Sequence, residues 1–182
     1  MIGIDVIDWD QARKSRWDEQ RFREKFCTGR ELIHLANAEN VFFETWKIWA
    51  AKEAAFKAWS MLSHETTFRP RDWEFDGHAH IHKVNDNACT MHIEWIHLEN
   101  GLVSWVQAST PFGKCEGGTL RINDSGRKEP QVYAFGECLN TVTMESKKLP
   151  RYGKITDLQN TNHWISRSHH GRYDVWMIAR EA

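Results

Sequence analysis

The sequence lacks any apolar run long enough to span a bilayer, which speaks against a helical membrane protein. It lacks an excess of either charge. Its 24 Lys and Arg against 25 Asp and Glu leave a net −1, with a pI near 6.8. A dedicated nucleic-acid binder is usually strongly basic, so that class recedes. Cysteine is sparse. Cys27, Cys89, Cys115 and Cys138 are widely scattered with no C-x-x-C pair, so neither a zinc knuckle nor a thioredoxin-type site is expected. The opening "MIGIDVIDWD" carries acid where a secretory signal carries base. Free thiols, a reducing compartment and a cytoplasmic protein are the expectation. No repeat of fixed period and no low-complexity tract interrupts the chain. What is plentiful is tryptophan, with 10 in 182 residues, implying a core or cleft of large flat side chains. The length fits one domain, or a pair of fused half-domains.

Residues 2–7, "IGIDVI", read as a short buried strand. Alternation puts Ile2, Ile4 and Val6 on one face and Gly3, Asp5 and Ile7 on the other. Residues 10–26 carry mixed charge at helical spacing. "CTGRE" predicts a turn, then a short helix near 31–38. The strongest helix is expected from about Val41 to Leu62. There Ile48, Ala51, Ala55, Ala58, Trp59 and Leu62 form one stripe, and Trp46, Glu53, Lys57 and Ser60 the opposite side. "WEFDGHAHIHK", "CTMHIEWIHL" and "GLVSWVQAS" predict a three-stranded antiparallel meander. Between 110 and 150, strands are expected only at "TLRIN" and "PQVYAF". "HWISRSHHGRYDVWMIA" predicts strand, turn, strand.

Two residue groups stand out chemically. Asp5 is an acid in an apolar strand, and burying a carboxylate costs several kcal/mol unless something compensates it. A magnesium ion shared with Glu53 would compensate it, since that ion takes one or two carboxylates plus phosphate oxygens and water. Lys57, one turn beyond Glu53, would then meet a phosphate. Alternatively Asp5 caps a strand end and Glu53–Lys57 is a surface pair worth about 0.3–0.5 kcal/mol. The second group is "HAHIH". His78, His80 and His82 would share a strand face, either as a zinc site or as a solvent-facing strip.

Gly3-Ile4-Asp5, then Phe26-x-Thr28-x-x-Glu31, then Trp49-Ala50-Ala51-Lys52-Glu53-Ala54-Ala55-Phe56-Lys57 resembles the 4′-phosphopantetheinyl transferase superfamily. The resemblance implies an α+β fold: an antiparallel sheet packed on a long helix, in two pseudo-repeated halves. It implies transfer of the phosphopantetheine arm of coenzyme A to a serine of an acyl or peptidyl carrier protein. Asp5 and Glu53 would hold magnesium, Lys57 would contact phosphate, and Glu53 or a water would take the serine proton. Position 7, an acid in the longer subfamily, is Ile here. Asp8 stands where the shorter holo-carrier-protein synthases carry one.

The far end extends the resemblance. Tyr152-Gly153-Lys154 and Ser168-His169 match the family's other half, although Ile155 replaces its proline. Lys154, Ser168 and His169 would contact coenzyme A phosphates; otherwise "SHHGR" is a plain hairpin turn. His97 is a rival to His169, but Ile96 stands where the serine belongs. Arg13, Arg16, Arg21 and Arg23 lie where the short subfamily docks its acidic carrier protein, or else they form an ordinary solvated face. The expected layout is a single domain over 1–182, with half 1–109 and half 110–182 flanking a cleft. One chain either builds a complete site or shares it between subunits. The competing functions are a relative that only binds coenzyme A, a zinc-binding β-rich protein and an interaction module without a small ligand.

Overall fold

A computed structural model describes residues 2–84, 86–107, 115–126, 131–136, 152–156 and 162–181. The first strand, β1 (Ile2–Asp8), is buried along its whole length. Helices α1 (Trp9–Ala12), α2 (Gln20–Glu24), α3 (Gly29–Ala36) and α4 (Val41–Ser63) follow. Strands β2 (Trp73–Phe75), β3 (His80–Lys83), β4 (Asp86–Leu98) and β5 (Gly101–Gln107) complete the first half. The second contains β6 (Cys115–Asp124), β7 (Gln131–Gly136), β8 (Tyr152–Thr156), β9 (Asn162–His170) and β10 (Tyr173–Glu181). The strands form two antiparallel five-stranded sheets, ordered β1-β5-β4-β3-β2 and β7-β6-β10-β9-β8.

The alternation of β1 decides the layering. Ile2, Ile4 and Val6 pack with Leu120, Ile122, Val175 and Met177 of the second sheet. The other face meets α4, where Ile7 packs with Trp46 and Ala50. Burying each such aliphatic side chain is worth about 1.5–3 kcal/mol. Gly3 lies against α4 so closely that a Cβ would fall inside the Ala54 carbonyl and 2.8 Å from the Ala58 nitrogen. Glycine is therefore what brings this strand down onto the helix.

Two expectations are corrected. The helical pattern over 10–26 breaks into α1 and α2. Trp17 packs edge-on against Phe42 with ring centres 4.9 Å apart, and the chain folds back to reach it. Both sides of α4 are packed. Trp46, Ala50, Ala54 and Ser60 are buried along with Ile48, Ala51, Ala55 and Ala58, because the helix is covered on both sides. "WEFDGHAHIHK" is two strands. Asp76 Oδ1 accepts the backbone N–H groups of His78, Ala79 and His80, and Gly77 takes φ 86°, so the chain turns there.

Candidate functional site

The 26–31 motif and Lys52 build a buried lock. Thr28 caps α3 by accepting the Glu31 N–H, and Glu31 accepts the Thr28 N–H at 2.7 Å. The same carboxylate accepts the Phe75 N–H at 2.9 Å and an ion pair from Lys52 Nζ at 2.6 Å. Lys52, fully buried, also donates to the Phe26 carbonyl at 2.7 Å. Burial lowers its pKa, against the pull of the Glu31 charge and hydrogen bond. This lock fixes α3 and β2 on α4. The motif resemblance gives Lys52 no role of its own. The signal was available: Lys52 falls at helical spacing from Ile48, Ala55 and Trp59, a cation on an apolar stripe.

One turn along α4, Glu53 and Lys57 face β1. Lys57 Nζ donates to Asp5 Oδ1 at 3.0 Å and to the Ile4 carbonyl at 2.9 Å, and lies 3.4 Å from Glu53. Asp5 is 3% exposed. Directly across from it on β5, Ser104 donates to the Ala50 carbonyl at 2.9 Å and ties the strand pair to α4. Burial, and then the charge of Asp5, push the Glu53 carboxyl up to about 7, with Lys57 pulling the other way. One ammonium against two carboxylates leaves the cluster short of positive charge. A hard divalent cation fits that donor set. Among the described residues no three His, Cys, Asp or Glu converge, so such a cation would complete its shell with water or substrate oxygens.

The chain's far end closes the cluster. Strand β9 runs along the outer edge of β1. Ser166 Oγ accepts the Ile4 N–H at 3.0 Å, Ser168 Oγ donates to Asp5 Oδ1 at 2.6 Å, and His170 Nδ1 accepts the Asp8 N–H at 2.9 Å. Burial holds the His170 pKa down, against the charges of Asp5 and Asp8. Asp5, Glu53, Lys57 and Ser168 are thus assembled within a single chain.

The remaining expected residues lie elsewhere. His169 is exposed on the other face of β9. It lines an open cleft of about 710 Å³ with Asp8, Lys14, Ser125 and Arg172. Asp8 points away from Asp5 and caps α1 through the N–H groups of Asp10 and Gln11. It also accepts the Arg172 N–H at 2.8 Å. Burial would raise its pKa, but the N–H donors of Arg172, Gln11 and Asp10 and the Arg172 charge hold it below the usual range. Ile7 is buried in an apolar cluster, so its position offers no further ligand. Lys154 lies on β8, paired with Trp164, in a strand rather than a turn; its side chain and Arg151 fall outside the described residues. Arg13 stands 4.6 Å over the Phe42 ring, and Arg16 pairs with Glu19 at 3.7 Å. Arg21 lines a surface cleft with Glu19 and Glu24, and Arg23 donates to the Asp18 carbonyl at 3.4 Å. The histidine strip does not come together. His78 is in the turn, His80 pairs with Asp76 at 3.2 Å, and His82 lies 3.6 Å from Glu74. Cys27 and Cys89 are buried free thiols.

The fold and site define an α+β protein that gathers two carboxylates and an ammonium where its first strand meets its longest helix. The family model described as the 4′-phosphopantetheinyl transferase superfamily matches residues 1–108, and the chain belongs to that superfamily. The superfamily comprises transferases that act on carrier proteins with coenzyme A as co-substrate, typically with a divalent metal. No curated protein and no solved structure matches the chain. Among the described residues no helix is long and apolar enough to cross a membrane.

Proposed function

We propose that this protein transfers the 4′-phosphopantetheine arm of coenzyme A to a serine of an acyl or peptidyl carrier protein. The observation that carries the reading is the convergence of Asp5, Glu53 and Lys57, from two separated motifs, in one partly buried cluster. We read the halves as pseudo-repeated: the strand order β1-β5-β4-β3 has its counterpart in β6-β10-β9-β8. The cleft between them receives coenzyme A.

Asp5 and Glu53 would hold magnesium, which would supply positive charge to the coenzyme A pyrophosphate. Lys57 adds its ammonium to the same phosphates, after giving up part of its contact with Asp5. His169 and Lys154 meet the remaining phosphate charge. The carrier serine hydroxyl attacks the β-phosphate, the phosphoanhydride bond breaks and 3′,5′-ADP leaves. Glu53, or a water beside it, would accept the serine proton. Positioning and charge neutralisation do most of the chemistry. Arg13, Arg16, Arg21 and Arg23, on the α1–α2 segment, steer an acidic carrier.

Intact-mass measurement of apo carrier proteins, incubated with the protein, coenzyme A and magnesium, tests this. The expected result is a gain of one phosphopantetheine arm, lost in Glu53→Gln. No gain on several acyl and peptidyl carriers, together with no coenzyme A binding, would overturn the proposal.

A further inference from the structure

The edge of β1 is covered by side chains instead of by another strand. Its inner edge pairs with β5, and the N–H groups of Ile4 and Asp8 point outward. Buried N–H groups need partners. Strand β9 supplies them from alternate positions, Ser166 to Ile4 and His170 to Asp8. Between these two anchors lies Ser168, on the same face of β9. Its hydroxyl is 2.6 Å from Asp5 Oδ1, the oxygen that also accepts Lys57. With a hydroxyl and an ammonium on one oxygen, the carboxylate is fixed in rotation.

We infer that Ser168 is a positioning residue: its hydroxyl holds the Asp5 carboxylate oriented toward Glu53, and so sets the cation affinity of the site from the opposite end of the chain. Ser168 acts through Asp5, with Ser166 and His170 fixing the register of β9 on β1. The inference rests on the reading of Asp5 and Glu53 as cation ligands. Partners that orient a metal ligand commonly carry about 10–100-fold in affinity. The anchors keep β9 in place without the Ser168 hydroxyl, because the Ile4 and Asp8 bonds do not involve it.

The test is a titration of the full chain with manganese, free ion read by electron paramagnetic resonance, without coenzyme A. Wild type, Ser168→Ala, Ser168→Thr and Asp5→Asn are compared, with circular dichroism melts as the check on folding. The expected result is affinity lowered about 10-fold or more in Ser168→Ala, near wild type in Ser168→Thr, and lost in Asp5→Asn. In carrier-protein turnover Ser168→Ala is expected to lower kcat while KM for coenzyme A stays near wild type. Manganese bound equally by wild type and Ser168→Ala, with KM for coenzyme A raised, would overturn the positioning role and leave the transfer reaction standing. Manganese bound by neither wild type nor any variant would overturn the cation reading and this inference with it. A Ser168→Ala chain that melts as wild type does, yet binds manganese no better than Asp5→Asn, would support it most strongly.

Discussion

Replacing Lys52 with methionine tests the buried lock. Methionine keeps most of the side-chain volume and removes the charge. Both members of the pair are out of solvent, with 0% of the Lys52 and 2% of the Glu31 side chain exposed. The substitution leaves the Glu31 carboxylate buried without its counterion and the Phe26 carbonyl without its donor at 2.7 Å. Breaking a buried pair from one side costs about 3–5 kcal/mol. For a chain of this length, that corresponds to a melting temperature about 6–20 °C lower. Adding Glu31→Gln removes the stranded charge and keeps an amide oxygen for the Thr28 or Phe75 N–H. The double variant is therefore expected to lose less than the single one, about 1–3 kcal/mol. Urea unfolding followed by tryptophan fluorescence reads both. A Lys52→Met cost under about 1 kcal/mol, or a double variant less stable than the single, would refute the reasoning.

Gly3→Ala drives a Cβ into the Ala54 carbonyl, where backbone on both sides has no room to move, so a loss of about 1–3 kcal/mol is expected. Any shift of β1 off α4 also lengthens the 3.0 Å Lys57–Asp5 bond, and transfer by the intact variant is expected to fall about 100-fold in a carrier-protein assay. Gly29→Ala is the control: it meets nothing within 4 Å at the first turn of α3 and is expected to gain about 0.5–1 kcal/mol. Glu53 makes stability depend on pH. Its folded value of about 7 lies above its ordinary 4.5, so the folded state keeps a proton that the unfolded chain has lost. Its contribution is full below 4.5 and disappears as pH rises through 7. In metal-free buffer the melting temperature should decline across that window in wild type and less so in Glu53→Gln. Equal declines in both would assign the effect to other groups.

Several elements in both halves are legible locally. The alternation of 2–7 places Ile2, Ile4 and Val6 against the second sheet and Asp5 against the helix. The periodicity over 41–62 gives the long helix within a residue of its end. "HWISRSHHGRYDVWMIA" is strand, turn, strand, with Gly171 at φ 56° in the turn. These features rest on neighbours a few residues apart, whose spacing the chain itself carries. The same logic fails over 10–26, where helical spacing was present but Trp17 found a better partner in Phe42. At Lys57, spacing alone leaves a surface pair with Glu53 and a phosphate contact both open, and does not show the shorter bond to Asp5.

The sequence alone determined which side chains of β1 face each way and where the long helix runs, and it singled out Asp5, Glu53 and Lys57. Only the tertiary structure decided that Ser168 reaches Asp5, 163 positions away, while its neighbour His169 faces another cleft. It alone decided that Asp8 caps a helix and that Lys52 is a buried lock. The reason is physical. Periodicity records which face of an element is apolar, whereas a hydrogen bond between distant strands depends on their register, and a carboxyl's pKa depends on every group packed around it.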